Sequence, residues 1–195
     1  MNAARINSIC VYCGASSQVD QAFKDDAARL GNILAKEKVR LVYGGGKVGL
    51  MGIIAEAVFR NGGEIVGIIP EHIQNKEIRN TDVTELYVVD SMHTRKRMMV
   101  EKSDGFIVLP GGFGTLDETF EILTWKYMGL HDKPVVFVNT RNFYAPLMGM
   151  VDHMVESGFT PFWQRNLFQI VDTPEEALPA IRCRIEHIKP DIKHL

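Results

Sequence analysis

Seven short apolar runs alternate with helical patterns along the chain, and this alternation constrains the fold more than any other feature of the sequence. Most of the runs are nearly continuous valine, isoleucine and leucine, which is typical of parallel strands covered on both faces. The sequence therefore predicts an α/β fold, a doubly wound parallel sheet of about seven strands with helices on both faces. The predicted strands are 6–13, 39–44, 64–69, 85–90, 105–110, 134–139 and 168–171.

The helical patterns between these strands have recognisable stripes and ends. Apolar residues at helical spacing predict one helix along Phe23, Ala27, Leu30 and Leu34, and a second along Leu50, Ile54 and Val58. A last helix is predicted to begin at Thr173, where Glu176 completes a capping box. The polar stretch 71–82 is expected to be a surface loop, placed where it can cover a site.

Composition excludes several classes of protein. The chain of 195 residues suits one domain, 1–195, and its net charge of −2 argues against a nucleic-acid-binding surface. It contains no apolar run near the ~20 residues that span a bilayer, and its first residues do not resemble a secretory signal. We therefore expect a cytoplasmic protein that binds neither nucleic acid nor membrane.

The three cysteines do not predict a disulfide framework or a metal site. Cys10 and Cys13 form a C-x-x-C pattern, but they lie in a predicted strand, where residues three apart face opposite ways. No second Cys/His pair follows at the spacing of zinc ligands. We expect no bound metal.

A first glycine loop, VYGGGKVGLMG at 42–52, follows the second predicted strand. Gly44, Gly46 and Gly49 match G-x-G-x-x-G between a strand and a helix, where backbone N–H groups can hold a phosphate. Lys47 precedes Val48 and not serine or threonine, so the segment is not a Walker A loop. Two interpretations stay open: a mononucleotide phosphate loop, or a tight turn required by strand–helix packing.

A second glycine loop, LPGGFGTLDE at 109–118, follows the fifth predicted strand. A helix is expected to start at Thr115 and to turn an apolar stripe toward the core, formed by Leu116, Phe120, Leu123 and Tyr127. Glu118 then has two interpretations. It can complete a capping box with Thr115, or it can present its carboxylate to a ligand.

Two features favour a functional role for Glu118. A helix cap does not need the three glycines that precede this helix. The helix is also apolar on a second side, and Glu118 lies there with Ile122 and Trp125. A second apolar side predicts contact with a partner subunit, and hence a homodimer through the helix that carries Ile122 and Trp125.

The segment DSMHTRKRMM at 90–99 adds a basic group near the same sheet edge. Ser91 can cap a helix. On that helix Arg95 shares a face with Ser91 and three methionines, which favours an arginine buried against an anion or a carboxylate.

These motifs resemble those of the LOG family, the cytokinin riboside 5'-monophosphate phosphoribohydrolases, long mislabelled as lysine decarboxylases. The resemblance rests on YGGGKVGLMG, SMHTRK, PGGFGTLDE and TWKYMGLHDKPV, and it covers about residues 6–180. It implies a Rossmann-like, nucleotide-binding fold, a homodimer and no cofactor. The implied activity is hydrolysis of the N-glycosidic bond of a purine nucleoside 5'-monophosphate, a cytokinin riboside 5'-monophosphate or AMP, giving free base and ribose 5-phosphate.

The resemblance also implies site residues. The catalytic pair falls on Arg95 and Glu118. Phosphate-binding and other substrate-binding positions fall on Gly45, Gly46, Glu77, Met92, Lys96, Gly111, Gly112, Gly114, Thr115, Asp117 and Thr124.

The chemistry of these residues and the family resemblance assign the same roles to the glycine loops and to Glu118. Phosphate is expected on the glycine loops and Thr115, and Glu118 is expected to face the ribose, where cleavage builds positive charge. Arg95 either orients Glu118 or stabilises the leaving base. The main alternative is a nucleotide-binding carrier or sensor without turnover. A pyridoxal-phosphate decarboxylase using Lys47 or Lys96 and a dinucleotide oxidoreductase are weaker alternatives.

Overall fold

The computed structural model describes residues 6–73 and 83–183, which form one parallel sheet of seven strands with helices on both faces. The strands are β1 Ser8–Tyr12, β2 Arg40–Tyr43, β3 Ile65–Pro70, β4 Glu85–Val89, β5 Gly105–Val108, β6 Val135–Val138 and β7 Gln169–Val171. The helices are α1 Gln21–Lys36, α2 Gly49–Arg60, α3 Met92–Glu101, α4 Phe113–Tyr127, α5 Ala145–Glu156 and α6 Pro174–Arg182. Two short 3-10 turns, Thr140–Asn142 and Phe162–Asn166, precede α5 and β7.

All seven predicted strands are confirmed, each within two residues of its expected ends. The strand order is β4-β3-β2-β1-β5-β6-β7. The chain adds β2, β3 and β4 on one side of β1 and then β5, β6 and β7 on the other side. β1 and β5 pair in parallel with Tyr12 opposite Val108. The order of the strands therefore reverses between β1 and β5, and their carboxyl ends lie side by side.

The strand residues alternate between two apolar layers. Ile9 and Val11 pack with α1, α2 and α6 on one face, whereas Cys10 and Tyr12 pack with α3, α4 and α5 on the other. This alternation confirms that the C-x-x-C cysteines face opposite sides: Cys13 belongs to the first layer and Cys10 to the second. Both thiols are free.

The helix ends follow the predicted chemistry in α3 and α6. The Ser91 hydroxyl accepts a hydrogen bond from the Thr94 N–H at 3.1 Å. At the start of α6 the Glu176 carboxylate accepts from the Thr173 N–H at 3.1 Å, which confirms the capping box. Of the predicted stripe of α1, Ala27, Leu30 and Leu34 are buried and Phe23 is half-buried, and α2 has Asn61 as its C-cap.

Helix α4 differs from the prediction in its start and in its buried face. It begins at Phe113 with Gly112 as N-cap, so Thr115 lies inside the first turn. Its buried residues include Thr115, Thr119 and Lys126. The Thr119 hydroxyl donates to the Thr115 carbonyl one turn earlier, and the Lys126 ammonium donates to the Leu167 carbonyl, distant in sequence. The buried side of this helix therefore carries polar residues beside the apolar Ile122 and Leu123, and hydrophobicity alone did not indicate the polar ones.

The predicted apolar stripe of α4 contacts the core at three of its four positions, since Leu116 and Tyr127 pack against the cluster that contains Leu123. Phe120 is 40% exposed and Leu116 and Tyr127 are half-buried, while only Leu123 is buried. Ile122, by contrast, is 1% exposed within the chain's own core, and Trp125 packs against that core. Ile122 therefore does not face a second subunit, and a contact through α4 has to use its other side.

Among the described residues, no helix is both long and apolar enough to cross a lipid bilayer. Most of the polar stretch 71–82, including Glu77, lies outside the described residues.

Candidate active site

A cleft of about 490 Å³ opens at the carboxyl ends of β1 and β5. Open α/β sheets bind ligands at this position because the connecting chains leave in opposite directions where the strand order reverses. Most of the described residues that line the cleft come from the loop after β1 (13–16), the second glycine loop, the first turns of α1, α2 and α3, and the first two turns of α4.

One wall of the cleft is the amino end of α4. The first N–H groups of a helix have no acceptor within the helix, and the N-cap residue Gly112 supplies no side chain to satisfy them. A Cβ atom placed on Gly112 or Gly114 would meet nothing within 4 Å. The donors at this helix end are therefore uncovered on the cleft side, which makes it suited to an anion such as phosphate.

Gly111 has a different role in the same loop. A Cβ atom here would stand 2.1 Å from the Thr115 hydroxyl oxygen and 2.9 Å from the Gly14 nitrogen. The Gly14 N–H donates to the Pro110 carbonyl at 3.0 Å, so the loops after β1 and β5 are hydrogen-bonded directly to each other. Gly111 allows that close approach and places the Thr115 hydroxyl beside the helix end.

Arg95 lies across the cleft from this helix end and is 6% exposed. Its Nη2 donates to the Gly44 carbonyl at 3.3 Å, and Nη1 lies 3.7 Å from the Met92 sulfur. Its buried Nε has no hydrogen-bond partner within the described ranges. A Cβ atom on Gly44 would stand 2.1 Å from Nη2. The missing side chain of Gly44 in the first glycine loop therefore leaves the space that this guanidinium occupies.

Glu118 lies beside Arg95, with 3.7 Å between its Oε1 and Nη2 of Arg95, and its side chain is 12% exposed. The prediction that Arg95 is buried against a carboxylate is confirmed. The alternative that Glu118 caps its own helix is wrong, because the N-cap is Gly112 and Glu118 belongs to the second turn. Glu118 lines the cleft together with Arg95.

The charge of Glu118 also reaches the cysteines below the cleft. Burial raises the pKa of the Cys13 thiol, and the neighbouring Glu118 carboxylate raises it further. The same two causes, in the same order, raise the pKa of Cys10. Both thiols are therefore protonated near neutral pH, and neither acts as a nucleophile.

The structure brings together most of the predicted site residues, but not all of them. Arg95, Glu118, Met92, Gly111, Gly112, Gly114, Thr115 and Asp117 line the one cleft. Lys96 is instead paired with Asp117 and Glu121, and Thr124 is exposed and donates to the Phe120 carbonyl. Gly45 and Gly46 are buried behind the cleft, with the Cβ position of Gly45 3.2 Å from Ile69.

Some cleft residues were not predicted. The loop 13–16 follows the central strand, so the rule that ligands collect at the carboxyl ends of strands could have identified it. Phe23 of α1 and Phe143 before α5 also line the cleft, with ring centroids 5.8 Å apart. These two positions are 120 residues apart in the chain, and no local pattern indicates that they meet.

The fold and the cleft define a Rossmann-like α/β protein with a helix end that has no side-chain cap and a buried arginine–carboxylate pair at its switch point. Solved structures of low identity share this fold. The molybdenum cofactor binding protein of Rippkaea orientalis superposes with a TM-score of 0.68 at 23% identity, covering 92% of this chain and 97% of that one. The molybdenum cofactor carrier protein of Chlamydomonas reinhardtii gives 0.69 at 20% identity, covering 91% and 97%.

Sequence comparison identifies the family. A family model described as "possible lysine decarboxylase" matches residues 51–181. The probable cytokinin riboside 5'-monophosphate phosphoribohydrolase LOGL9 of Oryza sativa subsp. japonica is 42% identical over 190 residues, 97% of this chain and 82% of the relative. The cytokinin riboside 5'-monophosphate phosphoribohydrolase LOG1 of Arabidopsis thaliana is 43% identical over 171 residues, 88% and 79% of the two chains. The chain belongs to the LOG family.

Proposed function

We propose that this protein hydrolyses the N-glycosidic bond of a purine nucleoside 5'-monophosphate, a cytokinin riboside 5'-monophosphate or AMP, to free base and ribose 5-phosphate. Relatives at 42% and 43% identity are named for this reaction on cytokinin riboside 5'-monophosphates. One structural observation carries the proposal: a buried arginine and a carboxylate lie 3.7 Å apart in the same cleft as an uncapped helix end.

The phosphate binds at the amino end of α4. Its charge is complemented by the helix dipole and by the free N–H groups of the first turn, and the Thr115 hydroxyl can donate from the same turn. Glu118 is one turn further along α4, so its negative charge is kept away from the phosphate. This spacing directs the carboxylate toward the sugar of a bound nucleotide.

Cleavage of the bond between C1' and the base leaves positive charge on the ribose, as in other glycoside hydrolyses. The ionised Glu118 stabilises this charge and accepts a proton from the attacking water, whose oxygen bonds to C1'. The electron pair of the broken bond leaves with the purine, which takes up a proton. A positioned acid–base group of this kind contributes ~10²–10⁴-fold to the rate.

The contact between Arg95 and Glu118 favours the orienting role of Arg95. The guanidinium is fixed by the Gly44 carbonyl and the Met92 sulfur, so it does not depend on Glu118 for its position. A fixed positive charge at 3.7 Å favours the ionised form of the carboxylate.

Turnover assays test the proposal directly. Purified protein is incubated with AMP and with an N6-prenylated AMP, and free base and ribose 5-phosphate are measured. Glu118→Gln should lose at least about 100-fold in kcat while remaining folded. Glu101→Gln is the matched control, because Glu101 pairs with Arg97 at the exposed end of α3. Nucleotide binding without release of base would favour the carrier alternative, and full activity of Glu118→Gln would exclude the proposed role of the carboxylate.

A homodimer in the cytoplasm is part of the same proposal. Phe113 is 93% exposed, and Phe120, Met128 and Leu130 expose further apolar surface along and just after α4. Such a patch is typical of a protein–protein interface, and Phe113 would place that interface beside the cleft. The free thiols suit a reducing compartment. Sedimentation as a monomer at micromolar concentration would contradict the dimer.

A further inference from the structure

The segment between β6 and α5, residues 139–144, reaches the start of the second glycine loop. We refer to it as the 139–144 turn. Its last residue is Tyr144, whose hydroxyl donates a hydrogen bond of 2.8 Å to the carbonyl of Leu109, and both residues are buried. Leu109 is the first residue after β5 and precedes Pro110 and Gly111. The hydrogen bond therefore holds the chain where it leaves the sheet and enters the glycine loop.

The Leu109 carbonyl depends on this hydroxyl for its hydrogen bond. The Leu109 N–H donates to the Tyr12 carbonyl at 2.9 Å, and the Gly14 N–H donates to the Pro110 carbonyl at 3.0 Å. Among the described residues, no backbone N–H donates to the Leu109 carbonyl, which leaves the Tyr144 hydroxyl as its donor. A buried carbonyl without a donor is energetically costly, so the contact fixes where the loop begins.

Tyr144 is itself held in place before it reaches Leu109. Its backbone N–H donates to Oδ1 of Asn139 at 2.8 Å. Its ring packs edge to face against Phe137, with 4.9 Å between the ring centroids. Burial raises the pKa of the Tyr144 hydroxyl, so the hydroxyl keeps its proton and can donate at neutral pH.

The other side of the 139–144 turn is anchored to α1. The Thr140 hydroxyl donates to the Asp26 carboxylate, and each residue is only 5% exposed. Arg141 has a φ of 52°, in the left-handed region that residues with a side chain seldom adopt. Such a conformation persists only where surrounding contacts fix it. The turn is therefore fixed to α1 on one side and to the second glycine loop on the other.

Tyr144 is close to the cleft but does not line it. Its neighbour Phe143 forms part of the cleft wall, whereas Tyr144 is 1% exposed. Any effect of the Tyr144 hydroxyl on a bound nucleotide must therefore pass through the Leu109 carbonyl and the loop that follows it.

We infer that Tyr144 is a positioning residue, whose hydrogen bond to Leu109 sets the path of the second glycine loop and so aligns the N–H groups at the start of α4 with the phosphate. The inference rests on the proposed function for its effect on kinetics. The phosphate stays on the sugar throughout the proposed reaction. Loss of an interaction made equally in the ground state and the transition state raises KM and leaves kcat unchanged.

The main experiment measures kcat and KM with AMP, and the inhibition constant of adenosine, which has no phosphate. Tyr144→Phe removes one oxygen atom and keeps the ring against Phe137. We expect KM for AMP to rise about tenfold, the upper effect of one lost hydrogen bond, with kcat within about threefold. The inhibition constant of adenosine should stay within about twofold, because adenosine does not use the phosphate contacts.

Ser103→Ala is the matched control. The buried Ser103 hydroxyl also donates to a main-chain carbonyl, that of Met99 at 2.8 Å, but Ser103 follows α3 and does not line the cleft. A merely structural role of Tyr144 predicts the same kinetics for both variants. Under the inference, Ser103→Ala lowers the free energy of unfolding and leaves KM for AMP as in the wild type.

Asn139 provides a second pair of variants that does not alter the tyrosine. Asn139→Ala removes the acceptor of the Tyr144 N–H and should raise KM for AMP in the same direction as Tyr144→Phe. Asn139→Asp keeps an acceptor oxygen at that position and should restore most of the wild-type KM. This pair decides the question if Tyr144→Phe does not fold, and equal KM values for the two variants would then overturn the inference.

Unchanged KM in Tyr144→Phe, or an equal loss of affinity for AMP and adenosine, would also overturn the inference. Absence of turnover in the wild type would overturn the proposed function alone. Amide hydrogen exchange without ligand then tests the positioning role. The hydrogen-bonded N–H groups of Gly14, Leu109 and Leu116 should exchange at least about tenfold faster in Tyr144→Phe than in Ser103→Ala. Equal exchange in the two variants would contradict it.

Discussion

The two glycine loops are similar in sequence, but the space left by their glycines differs: in the first loop a protein side chain fills it, and in the second it is open to the cleft. In the first loop the missing side chain of Gly44 leaves space for the Arg95 guanidinium, and Gly45 and Gly46 are buried. In the second loop Gly112 and Gly114 are exposed at the cleft, and a Cβ atom on either would touch nothing in the protein. The first loop therefore serves a protein side chain, whereas the second leaves space that a ligand can occupy.

This difference shows how a glycine motif can be interpreted once coordinates are available. A glycine that the protein's own packing requires gives no direct indication of a ligand. A glycine that no protein atom requires, at the uncapped end of a helix, does give one, because a side chain there would only obstruct what binds to the N–H groups. By this criterion we expect the phosphate of the proposed substrate at 112–115, and we expect the first loop to affect the proposed reaction through Arg95.

Among substitutions in the two glycine loops, Gly44→Ala should have the largest effect on activity. Its Cβ atom would lie 2.1 Å from Nη2 of Arg95 and would displace the guanidinium from the Gly44 carbonyl. We expect kcat to fall about 100-fold, as for other misplaced catalytic groups, with AMP affinity largely retained. The clash is with the end of a flexible side chain, so the protein should remain folded. Steady-state kinetics and circular dichroism check these two expectations.

A double variant separates this effect from a general disturbance of the loop. If Gly44 acts by seating Arg95, then Gly44→Ala should cost little further activity when it is added to Arg95→Ala. Losses that multiply in the double variant would instead mean that Gly44 supports the site independently of Arg95, and the proposed contrast between the loops would fail.

The fold was predictable because its signals are local and repeated. Most buried strands are short runs rich in valine, isoleucine or leucine, and many of the turns between elements contain a glycine or a capping residue. The exception is α4, where Thr119 and Lys126 are buried alongside the apolar Ile122 and Leu123. Their burial depends on hydrogen bonds to the carbonyls of Thr115 and Leu167, and hydropathy does not represent such partners.

The site was predictable where one segment carries its chemistry and less so where distant segments meet. The loop 111–115, Glu118 and Arg95 were found from motifs, and the structure brings them into one cleft. The seating of Arg95 on Gly44 joins positions 51 residues apart, and the pairing of Lys96 with Asp117 and Glu121 depends on how α3 packs beside α4. Such contacts follow from tertiary packing, which spacing along the chain does not encode.

Gly114→Ala should have a smaller effect, and on a different quantity. Because the new methyl group meets no protein atom within 4 Å, the free energy of unfolding should be unchanged or slightly increased, since alanine is favoured over glycine in a helix. The methyl group would occupy cleft space beside the N–H groups of α4. We expect KM for AMP to rise about tenfold, equivalent to ~1.4 kcal/mol of lost binding, with kcat little changed.

Gly149→Ala is the matched control for this substitution. Gly149 is also an exposed helical glycine with open space at its Cβ position, but it lies on α5 and does not line the cleft. It should share any gain in stability and leave KM unaltered. Gly44→Ala and Gly114→Ala together make the contrast between the loops quantitative. The substitution in the first loop should lower kcat, and the substitution in the second loop should raise KM. Gly114→Ala with normal KM would mean that the phosphate is not held at the start of α4.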